Sequence, residues 1–178
     1  MRPKSMRRGL IDLCSVIGWL DKIETILEIG SYAGESTAIF YEHLNLKEII
    51  CVDPWETGYD ENDNGSLVGN VDVAESVFDE TVKSFNCTKL KMKSDDVDLK
   101  SLPNIDFVYL DGLHTYEQLK KDIIHFLPLK PKMIAAHDYF WLDKLSGKRL
   151  NEAFIEVLEA PEFVFSDSSM LKIIGDCP

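Results

Sequence analysis

The 178 residues are 45% hydrophobic and 28% charged, a composition that predicts one soluble globular domain spanning residues 1–178. Nineteen Lys and Arg against 31 Asp and Glu give a formal charge of −12, which disfavours a nucleic-acid partner because it would repel phosphates. No apolar run is long enough to span a bilayer, so we expect no membrane partner and favour a small-molecule ligand.

The first predicted element is a helix within residues 1–22. Basic residues precede an apolar segment, as in a secretory signal, but Asp12 interrupts that segment and no small-residue cleavage site follows. The apolar residues recur with the spacing of an amphipathic helix, at Leu10, Leu13, Val16, Ile17 and Leu20. We therefore expect a helix that packs on the domain of a cytoplasmic protein. The scattered cysteines, without a CxxC pair, also favour that setting: Cys14, Cys51, Cys87 and Cys177.

Strands and helices then alternate in the first half of the chain. TILEI (25–29) is a predicted buried strand, ESTAIFYEHL (35–44) a helix and EIICVD (48–53) a second strand that ends at a proline. Residues 56–70 form a long acidic loop, in which Asp60, Glu61 and Asp63 are expected to be solvated. Asp72 and Glu75 have capping-box spacing and predict the start of the next helix.

The second half continues the alternation. The predicted strands are 89–93, 105–112 and 132–139, and Thr115 with Gln118 caps the helix that precedes Pro128. A helix over about 150–159 and a hairpin around Asp167–Ser169 complete the chain. Apolar strands that alternate with helices predict a doubly wound α/β fold, with a mostly parallel sheet and an antiparallel terminal hairpin.

In such a sheet, ligands bind beyond the carboxyl ends of the strands. We therefore expect the polar residues at those ends to meet in one cleft. They are Glu28, Gly30, Ser31, Asp53, Ser94, Asp95, Asp111, His114, His137 and Asp138.

The loop after the first strand indicates which ligand fits. It has Gly30 and Gly34, but Tyr32 stands where a dinucleotide-binding loop has its middle glycine, and its bulk would obstruct a diphosphate. No Walker lysine follows, and Glu35 would repel a phosphate. Asp53 can accept hydrogen bonds from ribose hydroxyls, and Glu28 suits an ammonium group. A ribose, an ammonium group and no phosphate describe S-adenosylmethionine.

Four segments resemble class I S-adenosylmethionine-dependent methyltransferases: EIGSYAGES at 28–36, VDPW at 52–55, DFVYLDGLHTY at 106–116 with Asp122 after it, and AHDY at 136–139. More narrowly, they are similar to the small-molecule O-methyltransferase branch that includes macrocin and other sugar O-methyltransferases and the cephalosporin hydroxylase-like proteins. The similarity covers residues 25–140, with the order and spacing of the segments intact.

This resemblance implies a Rossmann-like sheet of seven strands with helices on both faces and an antiparallel last pair. It also implies cofactor contacts from Gly30, Ser31, Gly34 and Ser36, and from Asp53 to the ribose. Trp55 and Asp95 would lie near the adenine, and Glu28 and Asp111 near the methionine end.

Methyl transfer to oxygen requires that the acceptor hydroxyl lose its proton, and two arrangements could remove it. Asp111, His137 and Asp138 could bind a divalent metal such as Mg²⁺ or Mn²⁺, which would polarise the hydroxyl. Metal-dependent members of the resembled branch often have two adjacent carboxylates where this chain has His137 and Asp138. Alternatively, His114 or His137 acts as the catalytic base.

Several hypotheses therefore stand side by side. The leading one is an O-methyltransferase that acts on a small hydroxylated acceptor such as a sugar or glycosylated metabolite, with an acceptor lid that is reduced or supplied by the second subunit of a homodimer. A nicotinamide-dependent oxidoreductase is disfavoured by Tyr32, and a non-catalytic binding module by the intact site residues. A nucleic-acid or protein methyltransferase is disfavoured by the acidic charge and by the lack of an Asn/Asp-Pro-Pro-Tyr-type motif.

Overall fold

The computed structural model describes residues 4–60 and 71–175, in which helices and strands alternate. In chain order they are α1 (Lys4–Leu20), β1 (Thr25–Ile29), α2 (Glu35–His43), β2 (Glu48–Asp53), α3 (Val71–Val82), β3 (Cys87–Lys91), β4 (Phe107–Leu110), α4 (Tyr116–Phe126), β5 (Met133–Ala136), α5 (Leu150–Leu158), β6 (Phe163–Val164) and β7 (Met170–Ile173). Short 3₁₀ turns lie at Ser94–Asp96, Leu99–Ser101 and Leu127–Leu129.

The strands form one seven-stranded sheet in the order β3-β2-β1-β4-β5-β7-β6. Strands β1 to β5 are parallel, whereas β7 runs antiparallel to both of its neighbours, β5 and β6. The chain leaves β1 toward β2 and β3 and later returns to place β4 on the other side of β1. The carboxyl ends of β1 and β4 therefore lie side by side, where this reversal opens a crevice. The predicted Rossmann-like fold is confirmed.

Each face of the sheet is covered by helices. Helices α1 and α2 pack on one face, where Ile26 of β1 joins a core that includes Leu13, Ile17 and Phe40. Helices α4 and α5 cover the other face, where Leu27 and Ile29 of β1 enter a second core. Because both faces are buried, the central strands are mostly apolar, and besides Glu28 their charged residues are Glu48 and Asp53 at the two ends of β2.

The N-terminal helix is part of the domain, as the spacing of its apolar residues predicted. Leu10, Leu13 and Ile17 are fully buried. Gly9 allows the helix to approach the β6–β7 turn, since a Cβ at this position would lie 2.4 Å from the backbone nitrogen of Asp167. Among the described residues, no helix combines the length and the apolar character needed to cross a membrane.

The predicted helices and strands are observed, but some of them begin or end at residues other than those predicted. Helix α3 begins at Val71, which puts Asp72 inside the first turn rather than at the cap. Thr115 caps α4 as predicted, but the Gln118 side chain bonds to Asp95 and Asp122 instead of returning to the cap. Cys14, Cys51 and Cys87 are free thiols, as expected; Cys177, Glu61 and Asp63 lie outside the described residues.

Candidate active site

The loop after β1 is built on three left-handed residues, Gly30 (φ 87°), Tyr32 (φ 43°) and Gly34 (φ 79°). At Gly30 only glycine fits, because a Cβ there would lie 2.0 Å from the backbone carbonyl oxygen of Asp111. The Gly30 N–H donates to the Val52 carbonyl (2.8 Å). The loop is thus wedged between the carboxyl ends of β2 and β4.

Glu28 supports this loop from beneath. It is fully buried, and its Oε2 accepts hydrogen bonds from Ser31 Oγ (3.0 Å) and Thr37 Oγ1 (2.5 Å). Burial raises the pKa of Glu28 despite these hydroxyl donors. Glu28 does not line the cavity described below, so the structure gives it the role of holding the loop and the start of α2. Its predicted contact with a ligand ammonium group stays a prediction.

Asp53, the last residue of β2, lines the cavity and fixes the same loop from the other side. Its Oδ2 accepts the Tyr32 N–H (2.9 Å) and its Oδ1 the Trp55 N–H (2.7 Å). Burial raises the pKa of Asp53, although these backbone donors oppose the shift. Trp55 itself turns inward, where its ring packs on Phe78 with centroids 4.9 Å apart. The indole N–H donates to the Tyr32 carbonyl, so Trp55 supports the loop rather than lining the cavity.

A cavity of about 480 Å³ opens at the carboxyl ends of the strands, as predicted, and its size lies within the range of small-molecule sites. The sequence-predicted residues that line it are Gly30, Ser31, Ser36, Asp53, Ser94, Asp111, His114, His137 and Asp138, and Trp141 lines it as well. Tyr32 and Glu35, whose bulk and charge oppose a diphosphate, also line it. Glu28, Gly34, Trp55 and Asp95 do not. Met6 of the N-terminal helix and Tyr59 and Asp60 of the loop after β2 also line the cavity, and Met92 is a lining residue that sequence reasoning missed.

A buried polar network lies beneath the adenine side expected from the resemblance. Asp122 Oδ1 accepts hydrogen bonds from Ser94 Oγ (2.6 Å) and Gln118 Nε2 (2.9 Å). Burial raises the pKa of Asp122 to about 6, although these donors oppose the shift. Asp95 is exposed and accepts from the same Gln118 amide (3.1 Å). Ser94 is therefore the member of this network that reaches the cavity.

His114 lines another part of the cavity and is surrounded by carboxylates. Its Nε2 lies 2.8 Å from Asp138 Oδ2 and 3.8 Å from Asp111 Oδ1. Its Nδ1 lies 2.5 Å from Asp60 Oδ2. Burial alone would lower the pKa of His114, but the three carboxylates outweigh burial and raise it well above 6.5. Burial has the opposite effect on a carboxyl group and alone would raise the pKa of Asp138. The hydrogen bonds of Asp138 with His114 and His137 nevertheless lower this pKa below its usual range.

The donor atoms of Asp111, His114 and Asp138 lie within 4.8 Å of one another and form the group that could hold a metal ion. The predicted metal set was Asp111, His137 and Asp138, and it stays a prediction. His137 is buried beside the two carboxylates, with its Nδ1 3.1 Å from Asp138 Oδ1 and 3.4 Å from Asp111 Oδ1. His114, which was predicted as a catalytic base in the same cleft, joins Asp111 and Asp138 in the observed group. Two carboxylates and one imidazole are ligands suited to Mn²⁺ or Mg²⁺.

Asp60 was expected to be solvated and is instead 5% exposed. Its Oδ2 accepts the backbone N–H of His114 (2.9 Å) and faces the His114 ring, so this part of the acidic loop belongs to the site. The two residues are 54 positions apart, and nothing in the local pattern around Asp60 indicates its partner.

Comparison with known proteins agrees with this geometry. A protein-family model described as a methyltransferase domain matches residues 27–139, which is more than half of the chain. No curated protein matches the sequence.

Solved structures with the same fold cover nearly the whole chain. Methyltransferase PaMTH1 of Podospora anserina, bound to S-adenosylhomocysteine (SAH), is 15% identical with a TM-score of 0.64, over 99% of this chain and 80% of that one. N-methyltransferase NodS of Bradyrhizobium japonicum is 11% identical with a TM-score of 0.66, over 99% and 100% of the two chains. A protein of Klebsiella pneumoniae assigned as an O-methyltransferase is 13% identical with a TM-score of 0.63, over 99% and 92%. At these identities the likeness shows the fold.

Proposed function

The chain belongs to the methyltransferase-domain family, and from this premise we propose that it methylates a hydroxyl oxygen of a small acceptor such as a sugar or glycosylated metabolite. It is an S-adenosylmethionine-dependent methyltransferase. The observation that carries the proposal is the group of Asp111, His114 and Asp138 on the wall of the cavity that the glycine loop also lines. A hydroxyl must lose a proton to become a good methyl acceptor. The carboxylates and the imidazole of this group can accept that proton or bind a cation that favours its loss.

The residues present fit S-adenosylmethionine, which supplies a methyl group on a sulfonium centre. Asp53 faces the cavity with a carboxylate that keeps lone pairs for ribose hydroxyls beyond its two backbone donors. The Gly30–Ser31 turn and Ser36 line the cavity without a cationic side chain that would call for phosphate. The expectation of a nicotinamide-dependent oxidoreductase is thereby set aside, because the matching family is one of methyltransferases.

The same group of residues fits a divalent metal. Asp111, His114 and Asp138 would hold the ion. His137, whose Nδ1 lies near both carboxylates, would fix their orientation. When bound, Mg²⁺ or Mn²⁺ would act as a Lewis acid that lowers the pKa of the acceptor hydroxyl. The alternative is metal-free removal of the proton by His114 or His137. Two features support the metal: His114 Nε2 faces two carboxylates, and their negative charge favours a cation between them.

The test is methyl transfer with paired acceptors. A panel of small sugars is compared with the matching amino sugars, because one structural neighbour is an N-methyltransferase, and SAH formation is measured. Methylation of the hydroxyl members supports the proposal. Methylation confined to the amines overturns it, and SAM binding without turnover on any acceptor would favour a non-catalytic module.

The metal is tested separately by chelation. Dialysis against EDTA should lower the rate by about 100-fold or more, and added Mn²⁺ or Mg²⁺ should restore it, since the Lewis acid stabilises developing charge on oxygen. Full activity in EDTA would leave His114 or His137 as the base. A small-molecule acceptor without nucleic acid or membrane, and a cytoplasmic location, stay predictions.

A further inference from the structure

Two cysteines that the proposed chemistry does not use lie against each other at one edge of the sheet. Cys51 is in β2, and Cys87 begins β3, which is the edge strand. Cys51 is paired with Lys89 across the two strands, and Cys87 precedes Lys89 by two residues, so both cysteines point to the same face of the sheet. Their Sγ atoms are 3.7 Å apart, and the two thiols are therefore in contact.

The two thiols differ in their access to solvent and in their acidity. Cys51 is fully buried, whereas Cys87 is half-buried and can meet a small oxidant that arrives from solvent. Burial raises the pKa of Cys51, and the hydrogen bond with Cys51 lowers the pKa of Cys87. Because the thiolate is the reactive form of a cysteine, Cys87 is the thiol that reacts first and Cys51 is the one that follows.

Cys51 also connects this pair to the glycine loop. Its thiol donates to Glu28 Oε2 (3.5 Å) and its Sγ lies 3.9 Å from Thr37 Oγ1. The same Glu28 oxygen accepts the hydroxyl of Ser31, which lines the cavity. A chain of side-chain contacts therefore runs from the edge of the sheet through Cys51 and Glu28 to Ser31.

We propose that Cys51 and Cys87 are a modification site, at which hydrogen peroxide forms a disulfide that weakens the binding of S-adenosylmethionine. The Cys87 thiolate attacks one peroxide oxygen, the O–O bond breaks, and a sulfenic acid and a hydroxide form. The Cys51 sulfur then attacks the Cys87 sulfur, and the S–O bond breaks as water leaves with the Cys51 proton. The hydroxide takes up the proton that Cys87 had lost, so two thiols and one peroxide give one disulfide and two water molecules.

The disulfide affects the cofactor site through Glu28. Cys51 loses its hydrogen in the reaction, so Glu28 loses a donor and supports the glycine loop less firmly. Strand β3 pairs with β2 alone among the described strands, so this edge of the sheet can shift as the two sulfurs move from 3.7 Å to bonding distance. Cofactor binding thus becomes sensitive to peroxide, whichever acceptor the enzyme methylates.

Peptide mapping after peroxide treatment tests whether the bond forms. Trypsin cuts after Lys83 and so leaves Cys51 and Cys87 in different peptides, 48–83 and 84–89. After one equivalent of hydrogen peroxide, and with the remaining thiols blocked by iodoacetamide, the two peptides should be found linked, with the loss of two hydrogen atoms. Dithiothreitol should separate them. The absence of the linked peptide, or Cys87 oxidised to a sulfinic acid in its place, would overturn the proposal.

Calorimetry measures the effect of the bond on the cofactor site. The linked protein should bind S-adenosylmethionine about 3–10-fold more weakly than the reduced protein, the effect of one lost hydrogen bond, and dithiothreitol should restore the affinity. Equal affinities of the linked and the reduced protein would overturn the proposal.

Two variants show whether the effect belongs to this pair. Cys87→Ser cannot form the disulfide, so peroxide should leave its affinity for S-adenosylmethionine unchanged; if circular dichroism shows that this variant is unfolded, Cys51→Ser takes its place. Cys177→Ser is the matched control and should respond to peroxide as the wild type does. An equal loss of affinity in treated Cys87→Ser would place the oxidation elsewhere, such as at Met92 of the cavity, and would contradict the proposal.

Discussion

Buried carboxylates in and beneath the cavity wall differ in the sign of their pKa shifts. Burial raises the pKa values of Glu28, Asp53 and Asp122, whose hydrogen-bond donors are hydroxyl, backbone or amide groups. Asp138 is also largely buried, but its pKa is lowered because its partners are the imidazoles of His114 and His137. All four residues are buried carboxylic acids, so the charge of the hydrogen-bond partner decides the direction of the pKa shift.

This difference in pKa shift indicates that the buried carboxylates have two different roles. Carboxylates held by neutral donors organise backbone, as Glu28 and Asp53 do for the glycine loop. Carboxylates paired with imidazole keep a fixed charge in the cavity, which is what proton removal or cation binding requires. The close approach of the Gly30 and Asp111 backbones holds the glycine loop at a fixed position relative to the group of Asp111, His114 and Asp138.

The largest expected effect is a loss of activity when the imidazole of His114 is removed. His114→Ala should lower kcat/KM by about 10²–10⁴, the contribution typical of a positioned proton-transfer or ligand group, because Asp111 and Asp138 lose their shared partner. Calorimetry should find the affinity for S-adenosylmethionine near that of the wild type, since the glycine loop and Asp53 are unaltered. His43→Ala, at an exposed position on α2, is the control. Activity within a factor of a few of wild type would place the chemistry elsewhere.

The second-largest expected effect is on protein stability and follows from replacing Asp122, a carboxylate whose hydrogen-bond donors are neutral. Asp122 has a pKa of about 6 in the folded protein against an ordinary value of 3.8, so the folded state binds its proton more tightly and stability falls as pH rises from about 4 to 6. Asp122→Asn removes this penalty and keeps an acceptor for Ser94 and Gln118. The variant should gain up to about 3 kcal/mol in free energy of unfolding at pH 8, and roughly half as much at pH 5.

Urea unfolding at the two pH values measures this gain. Asp96→Asn, at an exposed carboxylate of the neighbouring 3₁₀ turn, should keep the wild-type pH dependence. A gain that is equal at pH 5 and pH 8 would show that Asp122 does not titrate in this window, and the contrast with Asp138 would lose its support.

The smallest expected effect is on cofactor affinity. Asp53→Ala should weaken S-adenosylmethionine binding by about 1–3 kcal/mol, because ribose hydroxyls lose an acceptor and the Tyr32 N–H loses its anchor. Asp53→Asn keeps one acceptor oxygen and should lose less. Calorimetric affinity equal to that of the wild type in both variants would remove Asp53 from the cofactor site.

Much of the fold was predictable because its signals are local. The strands TILEI and EIICVD were predicted with the observed bounds, and the amphipathic spacing of α1 correctly indicated a helix packed on the domain. The terminal hairpin was also correct, with its turn at Asp167–Ser169 between β6 and β7. Helix ends were less accurate, as at Asp72, since a capping pattern competes with the packing of the whole helix.

The site was predictable only in part. The rule that ligands bind at the carboxyl ends of parallel strands correctly brought Asp53, Asp111, His114, His137 and Asp138 to one cavity. The same rule could not say where a side chain at a strand end points. Glu28 and Trp55 support the glycine loop, and their expected ligand contacts stay predictions.

The sequence by itself determined the alternation of elements, the sheet class and the family, because periodicity, glycine position and motif order are properties of neighbouring residues. Only the tertiary structure decided that His114 groups with Asp111 and Asp138, and that Asp60 contacts His114 across 54 residues of chain. A loop path is set by all the contacts along it. The pairing of distant charges therefore follows from the folded chain and from no local pattern.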